Sequence, residues 1–307
     1  MRAIILDVGQ KKELRELPGQ DILAYQVTAL QQTGFDTIIV LSDLFAEDYK
    51  QSGAAYYACP SAPKYDFLKS ILNDEPFLLI NGPALTDFPP AKLMDFFRKE
   101  HADVLCLTAR DLTGETFSAS TDPEEYSAQF YVLNPVLFTY YFYEYFEIRL
   151  FLTEMYKHRK KIIYQHSGGW NEYVNTHTAY VRAARYLLQK SLIPGSKVNN
   201  AYYGKNCEID FAANLSGTQF FGANCKAEAE SLLSDSLLLG NNTIGAGSRI
   251  VNSLLQRNVK IGRNSALDNC LIGEGSVIED NVRLPSGFVL APQSIIRSGS
   301  EGEWHGQ

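Results

Sequence analysis

Near the end of the chain a short pattern comes back at a fixed interval. Tyr203-Gly204-Lys205-Asn206-Cys207, Phe221-Gly222-Ala223-Asn224-Cys225 and Leu239-Gly240-Asn241-Asn242-Thr243 are spaced 18 residues apart. Further on, aliphatic residues recur every six positions, at Ile272, Ile278, Leu284, Leu290 and Ile296. Ile261 and Leu267 keep the same rhythm, with a one-residue slip before Ile272. An α-helix turns every 3.6 residues and cannot hold such a period. Three hexads per coil describe a triangular prism of parallel strands. The aliphatic residue of each hexad points inward, and small residues such as Cys207, Cys225, Ser265 and Ser276 fit near the corners. Gly and Asn supply the left-handed conformations the corners need. One coil cannot bury its apolar column alone; a stack can.

The first two thirds read differently. Arg2–Leu6, Thr37–Leu41, Phe77–Ile80 and Val104–Leu107 are short aliphatic runs. A helix with Ile22, Tyr25, Gln26, Ala29 and Leu30 on one side follows the first run and stops near Gly34. Continuous apolar strands alternating with helices predict a mainly parallel sheet covered on both faces, an α/β domain. Such sheets bind ligands beyond the carboxyl ends of their strands, so Asp7–Arg15 and Asn81–Asp87 should border a pocket. The aromatic stretch Phe138–Phe151 is predicted to be a helix packing against the sheet or the prism. A later helix covers Tyr180–Leu188, and Leu192-Ile193-Pro194-Gly195-Ser196 breaks it. The expected domains are therefore residues 1–192 and 196–298.

Composition removes several function classes. A net charge of −7 argues against a nucleic-acid binder, because phosphate backbones demand a basic surface. No apolar run reaches the length of a membrane span, and the opening MRAIILDVGQ turns polar too soon for a signal peptide. Five dispersed cysteines without a CxxC pair predict neither a disulfide framework nor a zinc site, and a reducing cytoplasm fits them.

The hexad pattern resembles the hexapeptide-repeat left-handed β-helix. Preceded by MRAIILDVG, DILAYQVTALQQTGFDTIIV, FLLINGPALTDF, SAQFYVLNP and GGWNEYVNTHTAYVRAARYLL in that order, it resembles the sugar-phosphate nucleotidyltransferases over nearly the whole chain. The implied fold is a Rossmann-like nucleotidyltransferase domain followed by the β-helix. That family moves a nucleotidyl group from a nucleoside triphosphate to a sugar 1-phosphate and releases pyrophosphate. The work is positional and electrostatic, with backbone amides, basic side chains and carboxylate-held magnesium around the phosphates.

On this sequence the resemblance implies nucleotide or phosphate binding at Gly9, Lys11, Lys12 and Arg15 in the first loop and at Asn81 and Gly82 in the later one. The place of the family's second magnesium aspartate falls on Glu172, which would keep a carboxylate there, or on Tyr173 one alignment step away. The departures are heavy. Glu13 stands where the family has a triphosphate-binding arginine, and a carboxylate there repels phosphate. Lys11 and Lys12 replace a glycine and a threonine, and Glu16 replaces a proline. The family's lysine between prolines is missing, since the chain runs from Leu17-Pro18-Gly19 straight into the helix. Asn81-Gly82-Pro83 replaces Asn-Gly-Asp, with Asp87 as a distant substitute. Ser127-Ala128-Gln129 replaces Asn-Ala-Gly, and the region between Arg110 and Ala128 is short. No residue is assigned a catalytic role.

Three functions follow from this. The first is a nucleotidyltransferase homologue with catalysis impaired, acting as a regulatory or scaffolding subunit that binds a nucleotide, sugar phosphate or nucleotide sugar. Its partner would be a second copy or an active relative. The second is a working enzyme with rearranged ligands, using Arg15, Lys11 or Lys12 for phosphate and Glu172 for magnesium, so that Glu172→Ala abolishes activity. The third is an acyltransferase of the hexapeptide class. Such enzymes use a histidine on the prism as base, but His101, His158, His166, His177 and His305 all fall outside Ser196–Ser300.

Overall fold

In the computed structural model, residues 1–8, 14, 16–43, 53–59, 62–109, 127–190, 196–198 and 200–299 are described. The chain divides into two compact units. One comprises Met1–Arg15 and Ile22–Ala179; the other comprises Glu16–Asp21 and Tyr180–Gln307. The second unit therefore includes a short hairpin from near the amino terminus, β2 (Glu16–Leu17) and β3 (Gln20–Asp21), and helix residues from Tyr180 onward.

The first unit is built on one sheet of β1 (Arg2–Asp7), β4 (Thr37–Ser42), β5 (Ala55–Ala58), β6 (Phe77–Asn81), β8 (Val104–Thr108), β9 (Ser127–Leu133) and β10 (Ile162–His166). Across the sheet the order is β10-β8-β9-β6-β1-β4-β5. Only β9 runs antiparallel to its neighbours β6 and β8. A smaller antiparallel pair joins β7 (Ala84–Thr86) to β11 (Asn171–Tyr173).

The aliphatic runs are explained by two cores, one on each face. Ile4, Leu6, Leu41 and Leu79 enter one, while Ala3, Ile5, Leu78 and Ile80 enter the other. Helices α1 (Ile22–Gln32) and α3 (Pro90–Lys99) cover the second face with Leu23, Val27, Leu30, Leu93 and Phe97. The first face is covered by α2 (Tyr65–Ile71) and the helix Ile148–Lys157 through Leu68, Phe151, Leu152 and Met155. Each such side chain, fully buried, contributes roughly 1.5–3 kcal/mol.

The stretch Phe138–Phe151 is not one helix. A 3-10 helix spans Pro135–Tyr140, an irregular extended segment follows, and an α-helix begins only at Ile148. The side chain of Tyr141 intercepts the backbone: its hydroxyl donates to Tyr145 O at 2.7 Å and accepts from Glu147 N at 3.0 Å. Phe138, Tyr141, Phe146 and Phe151 then pack as a ring cluster against Phe77 of the sheet core.

The second unit is the left-handed β-helix. Three sheets form its sides, parallel except where Ser196–Val198 pairs antiparallel with Ala201–Tyr203, and its inward column runs through Leu233, Leu238, Ile244, Ile250, Leu255, Ile261 and onward to Ile296, all buried. The coil is not a uniform 18 residues. Ala201 pairs with Gln219, but Phe220 pairs with Leu237, Leu237 with Leu254 and Leu254 with Leu271 before Leu271 pairs with Val289. The steps are thus 18, 17, 17, 17 and 18 residues. The third copy of the sequence pattern is accordingly shifted: Asn241, not Asn242, stacks on Asn224, and Gly240 is not the equivalent of Gly222.

The missing residue comes from one corner. Coils that turn there on Asp235, Asn252 or Asn269, each a single left-handed residue, are a residue shorter than the end coils, whose turns contain Gly217 or Gly287. Small polar residues line the inside of the corners, where strand pairing lapses. Ser253 N donates to Ser236 Oγ at 3.3 Å, Cys270 N to Ser253 Oγ at 3.0 Å and Ser265 N to Ser248 Oγ at 3.0 Å. Outside another corner, Asn206, Asn224, Asn241 and Asn258 form a ladder of side-chain amides at 2.9–3.2 Å, ending on Glu274. Gly222 is required for a different reason, since a Cβ there would lie 2.2 Å from Leu239 O of the next coil.

Candidate functional site

The carboxyl ends of the parallel strands carry a row of polar residues. Across the sheet they are His166 on β10, Thr108 on β8, Asn81 on β6, Asp7 on β1 and Ser42 on β4. Gln129, near the start of the antiparallel β9, sits among them. This is the edge where α/β sheets bind ligands.

Two of these residues hold each other. Asn81 Nδ2 donates to Gln129 Oε1 at 2.8 Å, and the Tyr131 hydroxyl reaches the same oxygen at 3.4 Å. Gln129 has φ +63°, a conformation that favours glycine, and its side chain is buried. It occupies the position where the resemblance has the glycine of Asn-Ala-Gly, and it keeps that backbone while filling the space with an amide. Along the row, Ser42 Oγ donates to the carboxylate of Asp7 at 2.8 Å, both buried. His166 Nδ1 is buried without a hydrogen-bond partner.

Gly82 follows Asn81 with φ +75°. Its N–H donates to Leu6 O at 2.8 Å, and its carbonyl accepts from Gln26 Nε2 at 2.9 Å. The amide expected to face a phosphate is committed to the β1 strand. A Cβ on Gly82 would come 2.9 Å from the Tyr173 ring and hydroxyl, so Tyr173 is stacked on this turn. Gln26 also donates to Ala84 O at 2.9 Å, and its Oε1 is left buried without a partner beside a small cavity of about 30 Å³.

Glu172 lies on β11 opposite Leu85, while Tyr173 pairs with Ala84 and Asn171 with Thr86. Successive strand residues point to opposite faces. Since Tyr173 faces Gly82, Glu172 faces the other way. At the turn itself Pro83 offers no carboxylate. Asp87 packs its carboxylate against Gly169, where a Cβ would meet Oδ1 at 2.4 Å, and its charge together with burial raises the Tyr25 hydroxyl above its ordinary value, burial first. Among the described residues no three His, Cys, Asp or Glu side chains gather as a metal site requires. Gly9, Lys11, Lys12, Glu13 and Arg15 lie outside the described residues.

Glu16 has a structural task that its sequence gave no sign of. Both carboxylate oxygens accept from Arg257 Nε, at 2.7 and 2.8 Å, and Nη2 adds a third contact. The Glu16 carbonyl accepts from the buried Tyr180 hydroxyl. The residue replacing the family's proline therefore anchors the β2–β3 hairpin within the second unit.

Among the described residues no helix is long and apolar enough to cross a membrane. Residues 179–303 match the family model described as the GMPPB C-terminal domain. No curated protein matches the chain. A 2.76 Å crystal structure of a Bacillus anthracis protein described as a glucose-1-phosphate thymidylyltransferase, in complex with a sucrose, superposes with a TM-score of 0.50. The two are 14% identical, and the match covers 61% of this chain and 95% of that one. At that identity the likeness is one of fold.

Proposed function

We propose that this chain, which joins a sugar-phosphate nucleotidyltransferase fold to a C-terminal β-helix, does not transfer nucleotides and serves as a regulatory or scaffolding subunit. The carrying observation is the turn after β6. Pro83 stands where a metal carboxylate is needed, the Gly82 amide is spent on Leu6, and Tyr173 and Gln129 pack where a ligand would approach. Contacts of this kind each contribute a factor of about a hundred or more to a rate. Losing several together removes catalysis while leaving the sheet and its edge intact.

The polar row from His166 to Ser42 still offers donors and acceptors to a nucleotide, sugar phosphate or nucleotide sugar, and ligand sensing is part of the reading. The partner is a second copy or an active relative, in a reducing cytoplasm that suits five free cysteines. Thermal-shift measurements with nucleotides, sugar phosphates and nucleotide sugars, with and without magnesium, test the binding. A shift selective for one ligand class and independent of magnesium is expected. Magnesium-dependent pyrophosphate release from a nucleoside triphosphate and a sugar 1-phosphate, at an ordinary enzymatic rate, overturns the proposal.

A further inference from the structure

Gln26 on α1 is 3% exposed, and only half of its side-chain amide is used. Nε2 donates to Gly82 O and to Ala84 O, each at 2.9 Å, while Oε1 has no partner. The amide cannot be turned round, because that would set its oxygen against two carbonyl oxygens. A buried acceptor left unpaired carries the full desolvation penalty of its burial.

The same side chain lines the cavity of about 30 Å³ between α1 and β7. Leu30, Ile80, Leu85 and Phe130 are among its walls, all buried, and the half-buried Tyr25 and Ala29 stand at its mouth. None of the lining residues is acidic or basic. The Thr86 hydroxyl is engaged, donating to Asn171 Oδ1 at 2.7 Å and accepting from Phe88 N at 3.0 Å. The space takes about two water-sized groups, but a buried water needs two to four polar partners. A hydroxyl on a carbon body matches the lining better. Its proton satisfies Oε1, and its carbons meet aliphatic and aromatic walls.

We propose that this cavity is a binding site for a small neutral molecule carrying a hydroxyl on an apolar body. The hydroxyl donates to Gln26 Oε1, and the body lies toward Tyr25 and Ala29. Ions are excluded, since the lining offers them no counter-charge. Gln26 also holds the turn after β6, so a molecule on Oε1 and the candidate site share one side chain. The binding itself stands whether or not the carboxyl edge takes a ligand.

Equilibrium dialysis of the full chain against phenol provides the test, with fluorobenzene as a probe of similar shape that cannot donate. Wild type is expected to take up one phenol per chain, saturably, with a dissociation constant of about 1 mM. Ala29→Leu keeps a good helix former and fills the mouth. Its circular dichroism should be unchanged and its phenol affinity lower by roughly tenfold. Gln26→Met keeps the bulk and removes the acceptor, so phenol should weaken by about tenfold relative to fluorobenzene, the worth of one hydrogen bond. Should Gln26→Met fail to fold, having lost two backbone contacts, wild type and Ala29→Leu still decide. A wild type that takes up no phenol saturably, as a cavity holding only water would, overturns the proposal. So does uptake that Ala29→Leu leaves unchanged, or an equal loss of both probes in Gln26→Met.

Discussion

Gly82 concentrates the chemistry of the candidate site in one residue. Its φ of +75° disfavours any side chain, and Tyr173 occupies the space a Cβ would need. Gly82→Ala is expected to cost about 1–2 kcal/mol for the left-handed backbone, with a further steric cost from the ring. Tyr173→Ala in the same chain should remove the steric part and leave the conformational part, a coupling that urea titration of the four variants measures. Asn81→Ala takes the 2.8 Å amide donor away from the buried Gln129 oxygen, and about 1–3 kcal/mol of stability should go with it. Gly82 could be marked from the sequence, because a glycine between a strand and a proline suggests a special backbone. Tyr173 and Gln129 could not, since nothing local tells a tyrosine or glutamine that it will fill a turn formed many residues away. Glu16 was invisible for the same reason: its partner Arg257 lies 241 residues on.

For the elements, periodicity was decisive where one interaction repeats. The prism was readable because every hexad solves the same problem of one inward aliphatic and one small corner residue. The 17-residue coils were half visible, as the slip before Ile272, because the aliphatic spacing shortens but the corner asparagines keep their type. The Phe138–Phe151 stretch misled, because aromatic density announces burial without fixing backbone, and the Tyr141 hydroxyl then displaced helical hydrogen bonds. The ladder corner isolates the cost of the left-handed backbone. Gly275, φ +69°, follows Asn258 in the stack, and a Cβ there would meet only Gln293 Cγ at an ordinary 3.7 Å. Gly275→Ala is expected to lose about 1–2 kcal/mol from backbone strain alone, and Gly275→Asn, the residue type at the other positions of the ladder, should lose less. Thermal unfolding of both variants beside wild type checks it; an alanine midpoint at or above that of wild type contradicts it.

In the molecule as a whole, wholly or partly buried tyrosines contribute to how stability depends on pH above about 10. Burial, as the first cause, raises Tyr25, Tyr65, Tyr141, Tyr164, Tyr180 and Tyr203 above their ordinary value. A phenol raised on folding holds its proton longer in the native state than in the unfolded one. Its contribution is complete below about pH 10 and is lost as pH climbs from there toward the folded value. Tyr180, fully buried with its hydroxyl on the Glu16 carbonyl, should show this most strongly. Tyr180→Phe is expected to be less stable at pH 8 by about 1–2 kcal/mol and to lose stability more slowly between pH 10 and 11. Urea midpoints across that interval decide, and parallel slopes for the two proteins contradict the assignment. The three 17-residue coils have a consequence of another kind. They share one register and one corner, so each is an interchangeable cassette. Duplicating residues 237–253 would lengthen the prism by a single strand spacing of about 4.8 Å, leaving every inward side chain in phase. The β-helix is in this sense a ruler whose graduations are written in the chain.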